Sequence, residues 1–216
     1  MNKTVIVSGG DIDTKSALDF LKKSTYDYLI GVDRGIEFLA ETQLMPTHIV
    51  GDFDSTSLSV LSYFQQRPDI KIYTYQPEKD LTDTQIAVKL AVELDSGCIF
   101  ILGGTGSRAD HTLANISVLS IPLEYGIDCC LIDKHNRIGL RNQSFSIKKQ
   151  EQYGTYISFF ALGKPVEGLT LKGVRYPLTK YTLSAFDPIC VSNEILETEA
   201  EITFQKGTLI VIESVD

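Results

Sequence analysis

Two aspartates separated by one residue follow a short apolar run in the first quarter of the chain. They are Asp52 and Asp54, in the sequence Gly51-Asp52-Phe53-Asp54-Ser55. If the backbone there is extended, the two carboxylates point the same way. Like charges at that spacing repel, and Mg²⁺ relieves the repulsion because it prefers carboxylate oxygens together with substrate phosphates. The spacing indicates a magnesium site; a turn in which Asp54 or Ser55 caps the next helix is the alternative.

A second acidic segment, PEKDLTD, precedes the most regular helical pattern in the sequence. Thr82 stands three residues before Gln85, the spacing of a capping box at a helix N-terminus. A helix N-terminus attracts anions. Asp80 and Asp83 are therefore candidate metal ligands, and Lys79 is a candidate phosphate contact. The alternative is a purely structural cap in which Asp83 complements the helix dipole.

A third motif is the glycine-rich run GGTGSRADH, which starts at Gly103 between an apolar strand and a helix. Glycines let the backbone approach a phosphate closely, and Arg108 can bind phosphate oxygens in a bidentate manner. The run matches neither the Walker A pattern nor a complete dinucleotide fingerprint. It predicts a phosphate-binding turn. For His111 at its end, a structural hydrogen bond and a catalytic role are both open.

These motifs need a scaffold that gathers the ends of several strands. Up to about residue 130, short apolar runs alternate with helical patterns. The predicted strands are Thr4–Ser8, Tyr28–Val32, His48–Val50, Ile70–Tyr75, Cys98–Leu102 and Asp128–Ile132. The predicted helices are Lys15–Lys23, Gly35–Thr42, Ser57–Gln66, the segment from Thr82 to Gly97, and Thr112–Ser120. This alternation predicts a parallel α/β sheet covered by helices on both faces, with ligands at the carboxyl ends of its strands. The polar motifs fall at those ends repeatedly: Asp33, Asp52, Asp54 and the Gly103-Gly104 turn.

The second part of the chain has a different texture after about Ile138. Short strand-like segments are separated by Gly or Pro turns: Ser144–Lys148, Thr155–Ala161, Val166–Leu171, Tyr181–Ala185, Ile189–Val191, Glu199–Gln205 and Thr208–Glu213. They predict a small all-β domain, a sandwich or partial barrel. We place the boundary near Arg141, which gives an α/β nucleotide-binding domain over residues 1–140 and a β domain over residues 141–216.

Composition narrows the classes of function. The 216 residues carry a formal net charge of -8, and no basic cluster typical of nucleic-acid binding is present. No apolar run approaches the ~20 residues of a membrane span, and the start lacks signal-peptide features, so we expect a cytoplasmic protein. The four cysteines form no C-x-x-C pair, which favours buried free thiols over zinc or disulfides. If this acidic protein binds a nucleotide, a cation is needed between its carboxylates and the phosphates, because both are negatively charged.

In order, these motifs and others in the second part resemble the thiamine pyrophosphokinase family. The segments that carry the resemblance are DRG from Asp33, GDFDS from Gly51, KDLTD from Lys79, GGTGSRADH from Gly103, LKGVRYPL from Leu171, VSNE from Val191, and the last strand, Gly207–Ser214. The resemblance covers nearly the whole chain. It implies a Rossmann-like α/β domain followed by a β-sandwich that contributes to the thiamine site and to a homodimer, with active sites built between subunits.

The resemblance also implies a reaction, thiamine plus ATP giving thiamine diphosphate plus AMP, with Mg²⁺ as cofactor and ATP as co-substrate. The implied metal ligands are Asp52, Asp54 and Asp83; with Asp80 and Arg108 they form the catalytic set. The implied nucleotide contacts are Asp33, Arg34, Lys79, Asp80, Thr82, Gly103, Gly104, Arg108, Asp110 and His111. The implied thiamine contacts are Thr170, Tyr176, Ser192 and Asn193. Asp54 or Asp80 would accept the hydroxyl proton.

One residue departs from the family pattern. Tyr176 stands where animal members have a tryptophan that stacks on thiamine; tyrosine still offers a π face to the cationic thiazolium, and a half-buried strand residue is the alternative. Three other functions remain open: a pyrophosphokinase for a pterin-like substrate, a D-x-D nucleotide-sugar transferase, and a non-catalytic nucleotide- or thiamine-binding module. Tyr176 and the Ser192-Asn193 pair favour thiamine, and the many carboxylates disfavour a non-catalytic module.

Overall fold

The computed structural model describes residues 1–54, 56–74, 81–185 and 187–216. The chain divides into two compact units, Met1–Lys134 and His135–Asp216. The first is an α/β unit and the second is all-β, which confirms the predicted fold class. Among the described helices, none has the length and apolar character needed to cross a membrane.

The first unit is built on a parallel sheet. Its strands are β1 (Asn2–Val7), β2 (Tyr28–Val32), β3 (His48–Gly51), β4 (Lys71–Thr74), β5 (Ser96–Leu102) and β6 (Asp128–Ile132). They lie in the order β4-β3-β2-β1-β5-β6, and each adjacent pair is parallel. The chain moves outward from β1 to β4 and then returns to the other side of β1. The direction of winding therefore reverses between β1 and β5, which is where such sheets bind ligands.

Helices connect the strands of this sheet. They are α1 (Thr14–Lys23), α2 (Gly35–Glu41), α3 (Leu58–Gln65), α4 (Asp83–Glu93), α5 (Ala109–Val118) and α6 (Ser120–Glu124). The second half of the central strand β1 is apolar because both faces of the sheet are covered there: Val5, Ile6 and Val7 are fully buried. The capping prediction for α4 is confirmed, since Thr82 Oγ1 accepts a hydrogen bond from the Gln85 amide at 3.2 Å.

Two helix predictions need correction. The helix expected from Thr82 to Gly97 ends at Glu93, a left-handed Asp95 (φ 57°) follows it, and Gly97 lies in β5. The helix expected over Thr112–Ser120 begins earlier, at Ala109, and ends at Val118; a separate short helix, α6, follows. The sequence pattern missed α6 because it contains Pro122, a helix breaker in most positions. Pro122 lies in the first turn of α6, where a proline removes no intrahelical hydrogen bond.

The second unit contains two antiparallel sheets. Its strands are β7 (Asn136–Arg141), β8 (Phe145–Lys148), β9 (Tyr156–Ala161), β10 (Val166–Lys172), β11 (Leu178–Leu183), β12 (Glu199–Thr203) and β13 (Leu209–Ser214). One sheet has the order β7-β13-β9 and the other β11-β10-β12-β8. Alternate residues of the two sheets point into one apolar core, which includes Phe159, Leu169, Ile202 and Val211. Alternation of this kind is typical of a sandwich.

Two strand predictions in this unit are wrong. Ile189–Val191 is apolar but forms a turn, in which the Val191 amide donates to the Pro188 carbonyl at 3.1 Å. The next residue, Ser192, has a left-handed backbone (φ 56°), which differs from the extended backbone expected for a strand. The strand expected over Tyr181–Ala185 runs instead from Leu178 to Leu183. Strand β7 was not predicted, because the alternation of apolar and polar residues in Asn136–Arg141 is weak.

Candidate active site

A cavity of about 480 Å³ lies at the carboxyl ends of the central strands of the first unit. It is lined by the loop after β1, the loop after β2, the start of α4 and the glycine-rich loop after β5, which contribute Ser8–Asp11, Val32–Arg34, Thr82–Thr84 and Gly103–Arg108. Its volume falls in the usual range of small-ligand pockets. The reversal of winding between β1 and β5 thus opens a space of a size that suits a nucleotide.

Three carboxylates converge beside this cavity. One oxygen from each of Asp33, Asp52 and Asp54 lies within 4.8 Å of the others. Asp52 and Asp54 do converge, but the expected extended backbone is wrong. Phe53 between them is left-handed (φ 61°) and buried, and the Asp54 amide donates to Asp52 Oδ1 at 3.1 Å. A tight turn anchored by a buried aromatic ring, rather than strand alternation, brings the two acids together.

Asp33 joins this pair from the neighbouring strand. It follows β2 with a left-handed backbone (φ 46°), and its amide donates to the Val50 carbonyl of β3 at 3.1 Å. Its carboxylate accepts a hydrogen bond from the Thr56 hydroxyl at 3.2 Å. Left-handed residues other than glycine are uncommon and cluster at functional sites. The resemblance assigned Asp33 to the nucleotide; the structure brings it to the aspartate pair as well.

Asp83, the first residue of α4, is electrostatically coupled to the same cluster. Its pKa is raised to about 6, first by burial and then by repulsion from Asp52, Asp33 and Asp54. Four carboxylates therefore share one region, in which negative charge is energetically unfavourable. Oxygen donors crowded in this way fit a hard divalent cation such as Mg²⁺, which offsets their repulsion.

The raised pKa of Asp83 predicts a pH-dependent gain in stability for Asp83→Asn in metal-free protein. In the wild type, the unfolded chain loses this proton near pH 4, while the folded chain keeps it up to about pH 6. Folding stability falls across that window. Asparagine removes the charge, so the variant should be about 1 kcal/mol more stable above pH 6 and equally stable near pH 4. Urea unfolding at both pH values measures this; an advantage that is the same at both would contradict it.

The glycine-rich loop is held by hydrogen bonds from two sides. On one side, the Gly10 amide donates to the Gly103 carbonyl at 2.8 Å, and the Asp11 amide donates to the Thr105 carbonyl at 3.0 Å. A Cβ atom on Gly10 would collide with both of these carbonyls, so only glycine fits there. The loop after β1 and the loop after β5 therefore form one continuous backbone wall.

Two side chains fix the loop from its other side. Buried Asn115 of α5 donates to the Gly104 carbonyl at 2.8 Å, and the Thr105 hydroxyl donates to Asp133 at 2.7 Å. Sequence reasoning missed both contacts, and also missed Asp11. The sequence held one signal, because Gly9-Gly10 after the first strand has the same character as Gly103-Gly104 after the fifth.

A further missed contact joins the end of β1 to the start of α4. The hydroxyls of Ser8 and Thr84, both buried, are 2.6 Å apart. Thr84 follows Asp83 directly, so this bond fixes the helix terminus that presents the acid. A small hydroxyl residue on each of two apolar segments was the only sequence signal for it.

Arg108 is paired with a neighbouring acid. Its Nε donates to Asp110 Oδ1 at 3.2 Å and its Nη2 donates to Oδ2, which lowers the pKa of Asp110 to about 2. About two thirds of each side chain is exposed, so solvent weakens the pair and a phosphate can compete for the guanidinium. Arg34 and His111 line the cavity as well. Lys79 and Asp80 lie outside the described residues, and their roles stay predictions.

In the second unit, Asn193 holds the backbone of Tyr176. Its side-chain oxygen accepts from the amides of Tyr176 and Glu194, both at 3.0 Å, and its Nδ2 donates to the Tyr176 carbonyl at 2.9 Å. Asn193 is 2% exposed, whereas Tyr176 is 57% exposed. Asn193 is a predicted thiamine contact, but its side chain is hydrogen-bonded to the backbone of the residue that carries an exposed ring.

The two other predicted thiamine contacts have separate environments. Ser192 precedes Asn193, and its amide donates to the hydroxyl of buried Ser158 at 3.0 Å. Thr170 lies on β10, where its hydroxyl accepts from the Lys180 amide at 3.0 Å. The structure thus associates Ser192 and Asn193 with Tyr176 and leaves Thr170 bonded to the neighbouring strand.

Comparison with known proteins gave matches over both units. The family models described as "Thiamin pyrophosphokinase, catalytic domain" and "Thiamin pyrophosphokinase, vitamin B1 binding domain" match residues 19–131 and 142–209. A curated thiamine pyrophosphokinase of Bacillus subtilis (strain 168) is 35% identical over 218 residues, covering 99% of this chain and 100% of that protein.

Solved structures give the same picture. A crystal structure of thiamine pyrophosphokinase from Bacillus subtilis has a TM-score of 0.86 at 33% identity and covers 99% of both chains. A thiamin pyrophosphokinase family protein from Enterococcus faecalis has a TM-score of 0.83 at 31% identity and covers 100% of both chains. Yeast thiamin pyrophosphokinase, with a TM-score of 0.83 and 16% identity over 99% of this chain and 86% of that one, shares the fold.

Proposed function

The chain belongs to the thiamine pyrophosphokinase family, and we propose that it forms thiamine diphosphate by moving the pyrophosphoryl group of ATP onto the hydroxyl of thiamine, with release of AMP. The observation that carries the proposal is the convergence of Asp33, Asp52 and Asp54, coupled to Asp83, beside a cavity at the switch point of the sheet. Carboxylates in that position repel the phosphates of a nucleotide unless a cation is bound between them.

Mg²⁺ would be held by Asp52, Asp54 and Asp83, and the structure adds Asp33 to the candidate ligands. When bound, the ion supplies neutralisation of phosphate charge and alignment of the triphosphate. The glycine-rich loop would bind phosphate through its backbone, with Arg34 and Arg108 providing positive charge at the cavity. Transfers of this type depend mainly on positioning and charge stabilisation.

In the proposed reaction, the thiamine hydroxyl oxygen forms a bond to the β-phosphorus of ATP. The bond between that phosphorus and the oxygen bridging to the α-phosphate breaks, and AMP leaves with the electron pair. The hydroxyl proton passes to a carboxylate, either Asp54 or Asp80. Arg108 would stabilise charge on the group in transfer, because its exposed guanidinium can exchange Asp110 for phosphate oxygens.

Product analysis tests this proposal directly. The protein is mixed with thiamine, ATP and MgCl₂, and the products are separated by chromatography. AMP and thiamine diphosphate in equal amounts are expected. ADP with thiamine monophosphate would indicate a different kinase, and AMP formed only with a hydroxymethyl pterin would indicate the alternative pyrophosphokinase. Absence of turnover would favour a binding module. Addition of EDTA should abolish thiamine diphosphate formation, because the reaction is proposed to need Mg²⁺.

We propose that thiamine contacts Tyr176, with Ser192, Asn193 and Thr170 near it. Asn193 holds the backbone of Tyr176, and the guanidinium carbon of Arg175 lies 5.7 Å from the centroid of the exposed Tyr176 ring. We expect Tyr176→Ala to raise the KM for thiamine about five- to tenfold, through loss of a cation–π contact. The KM for ATP should not change, and Tyr176→Phe should behave like the wild type.

Steady-state kinetics with each substrate varied in turn measure this split. Tyr125→Ala is the matched control, because Tyr125 is also an exposed tyrosine (68%) but belongs to the first unit. An unchanged thiamine KM in Tyr176→Ala would remove the ring from the thiamine site.

We also propose a cytoplasmic homodimer whose active sites form between subunits. Support comes from four large apolar side chains in the second unit, each at least 44% exposed: Tyr176, Ile189, Val191 and Leu196. The segments that carry Tyr176 and Leu196 are bonded to each other, since the Leu196 amide donates to the Gly173 carbonyl at 2.9 Å. Light scattering after gel filtration tests the assembly; a single-chain mass at micromolar concentration would contradict it.

A further inference from the structure

Asp11 makes two hydrogen bonds to the glycine-rich loop. Its amide donates to the Thr105 carbonyl at 3.0 Å, and its carboxylate Oδ2 accepts from the Ser107 amide, also at 3.0 Å. Together these bonds bracket Gly106. A Cβ on Gly106 would come within 3.1 Å of the Asp11 carboxylate, so the loop passes directly against this side chain.

The Ser107 bond fixes the point where the loop turns into α5. Arg108 follows Ser107 and is the N-terminal flanking residue of that helix, without a capping bond from its own side chain. Asp11 therefore holds the loop in place although it lies 96 positions away from Ser107 in sequence. The bond lies next to Arg108, whose guanidinium is proposed to contact phosphate. Residues held in this way define where backbone amides point.

We propose that Asp11 is a positioning residue for the nucleotide, which keeps residues 105–107 in the shape that binds phosphate. This inference rests on the proposed function and adds a residue to it. Asp11 acts through the hydrogen bond that it accepts and not through its charge. It lines the same cavity, where a carboxylate repels phosphate, so its negative charge alone would weaken nucleotide binding.

That distinction gives opposite expectations for two substitutions. Asp11→Ala removes the acceptor, and we expect the KM for ATP to rise about five- to tenfold while the KM for thiamine stays within twofold. Asp11→Asn keeps an acceptor oxygen in the same place and removes the charge. We expect its KM for ATP to equal that of the wild type or to be lower.

Asp13→Ala is the matched control. Asp13 belongs to the same segment and also accepts a backbone hydrogen bond, from the Ser16 amide at 2.8 Å, but it caps α1 instead of touching the glycine-rich loop. We expect Asp13→Ala to lower the melting temperature and to leave both KM values unchanged. Because the Asp11 contact is exposed to solvent, Asp11→Ala should lower the melting temperature little.

The experiment measures KM and kcat for both substrates, together with the dissociation constant of AMP by calorimetry. A five- to tenfold weaker AMP affinity in Asp11→Ala, restored in Asp11→Asn, supports the inference. Unchanged AMP affinity in Asp11→Ala overturns it, and so does an Asp11→Asn variant as impaired as Asp11→Ala. Inactive wild-type protein that still binds AMP would refute the proposed function while leaving the binding test of Asp11 intact.

Discussion

Replacing Asp52 with alanine is expected to lower the rate of thiamine diphosphate formation by at least about 100-fold. Asp52 supplies a carboxylate to the cluster with Asp33 and Asp54, and it also accepts the Asp54 amide that shapes the turn. The substitution therefore removes one candidate metal ligand and loosens a second. Release of AMP in the presence of thiamine is the measurement.

Two further variants separate charge from structure. Asp52→Asn keeps an acceptor for the Asp54 amide but carries no charge, so a similar loss of rate would assign the effect to the carboxylate. Asp69→Ala is the surface control, since Asp69 is exposed in the turn between α3 and β4 of the same unit; its rate should stay within about twofold. Near-wild-type turnover by Asp52→Ala would remove Asp52 from the mechanism.

Replacing Asn193 with alanine is expected to lower the free energy of unfolding by about 2 to 3 kcal/mol. Three hydrogen bonds between its buried side chain and the backbone of Tyr176 and Glu194 would be lost. Because these bonds hold the segment that carries Tyr176, the KM for thiamine should rise as well, while the KM for ATP stays unchanged. Denaturant unfolding followed by kinetics measures both effects.

Asn142→Ala provides the matched control for that experiment. Asn142 is exposed between β7 and β8 of the same unit, and a surface substitution of this kind usually changes stability by no more than about 0.5 kcal/mol. Equal stability of the Asn193 and Asn142 variants would show that solvent replaces the Asn193 hydrogen bonds without cost.

The sequence predicted the features that depend on neighbours along the chain. The cap of α4 depends on Thr82 and Gln85, three residues apart, and the alternation of strands and helices needs only local periodicity. The position of Asp52 and Asp54 at the end of β3 follows from the same local pattern. Their convergence was predicted for the wrong reason, because a left-handed Phe53 has no signature in residue type.

Contacts that depend on the order of strands in the sheet could not be predicted from the sequence. Asp33 meets the aspartate pair because β2 and β3 are adjacent in the sheet. Asp11 meets Ser107 because β1 and β5 are adjacent. The sequence placed Asp33, Asp52 and Asp54 at the same edge of the sheet, but spacing in a single sequence does not specify which strands become neighbours. The direct contact of Asp33 with the pair and the role of Asp11 were therefore not predicted. The strand predicted at Ile189–Val191 is wrong for a local reason. Its composition is apolar, but Pro188 and the left-handed Ser192 on either side make it a turn.

The absence of a side chain at Gly10 has a consequence for how this protein can vary. Two peptide segments more than ninety residues apart in the gene are in direct main-chain contact, with no side chain between them to absorb a change. Insertions or substitutions in one segment must then be matched by changes in the other. A library that randomises either segment alone should yield few folded, active members, whereas one that exchanges both together between relatives should retain many.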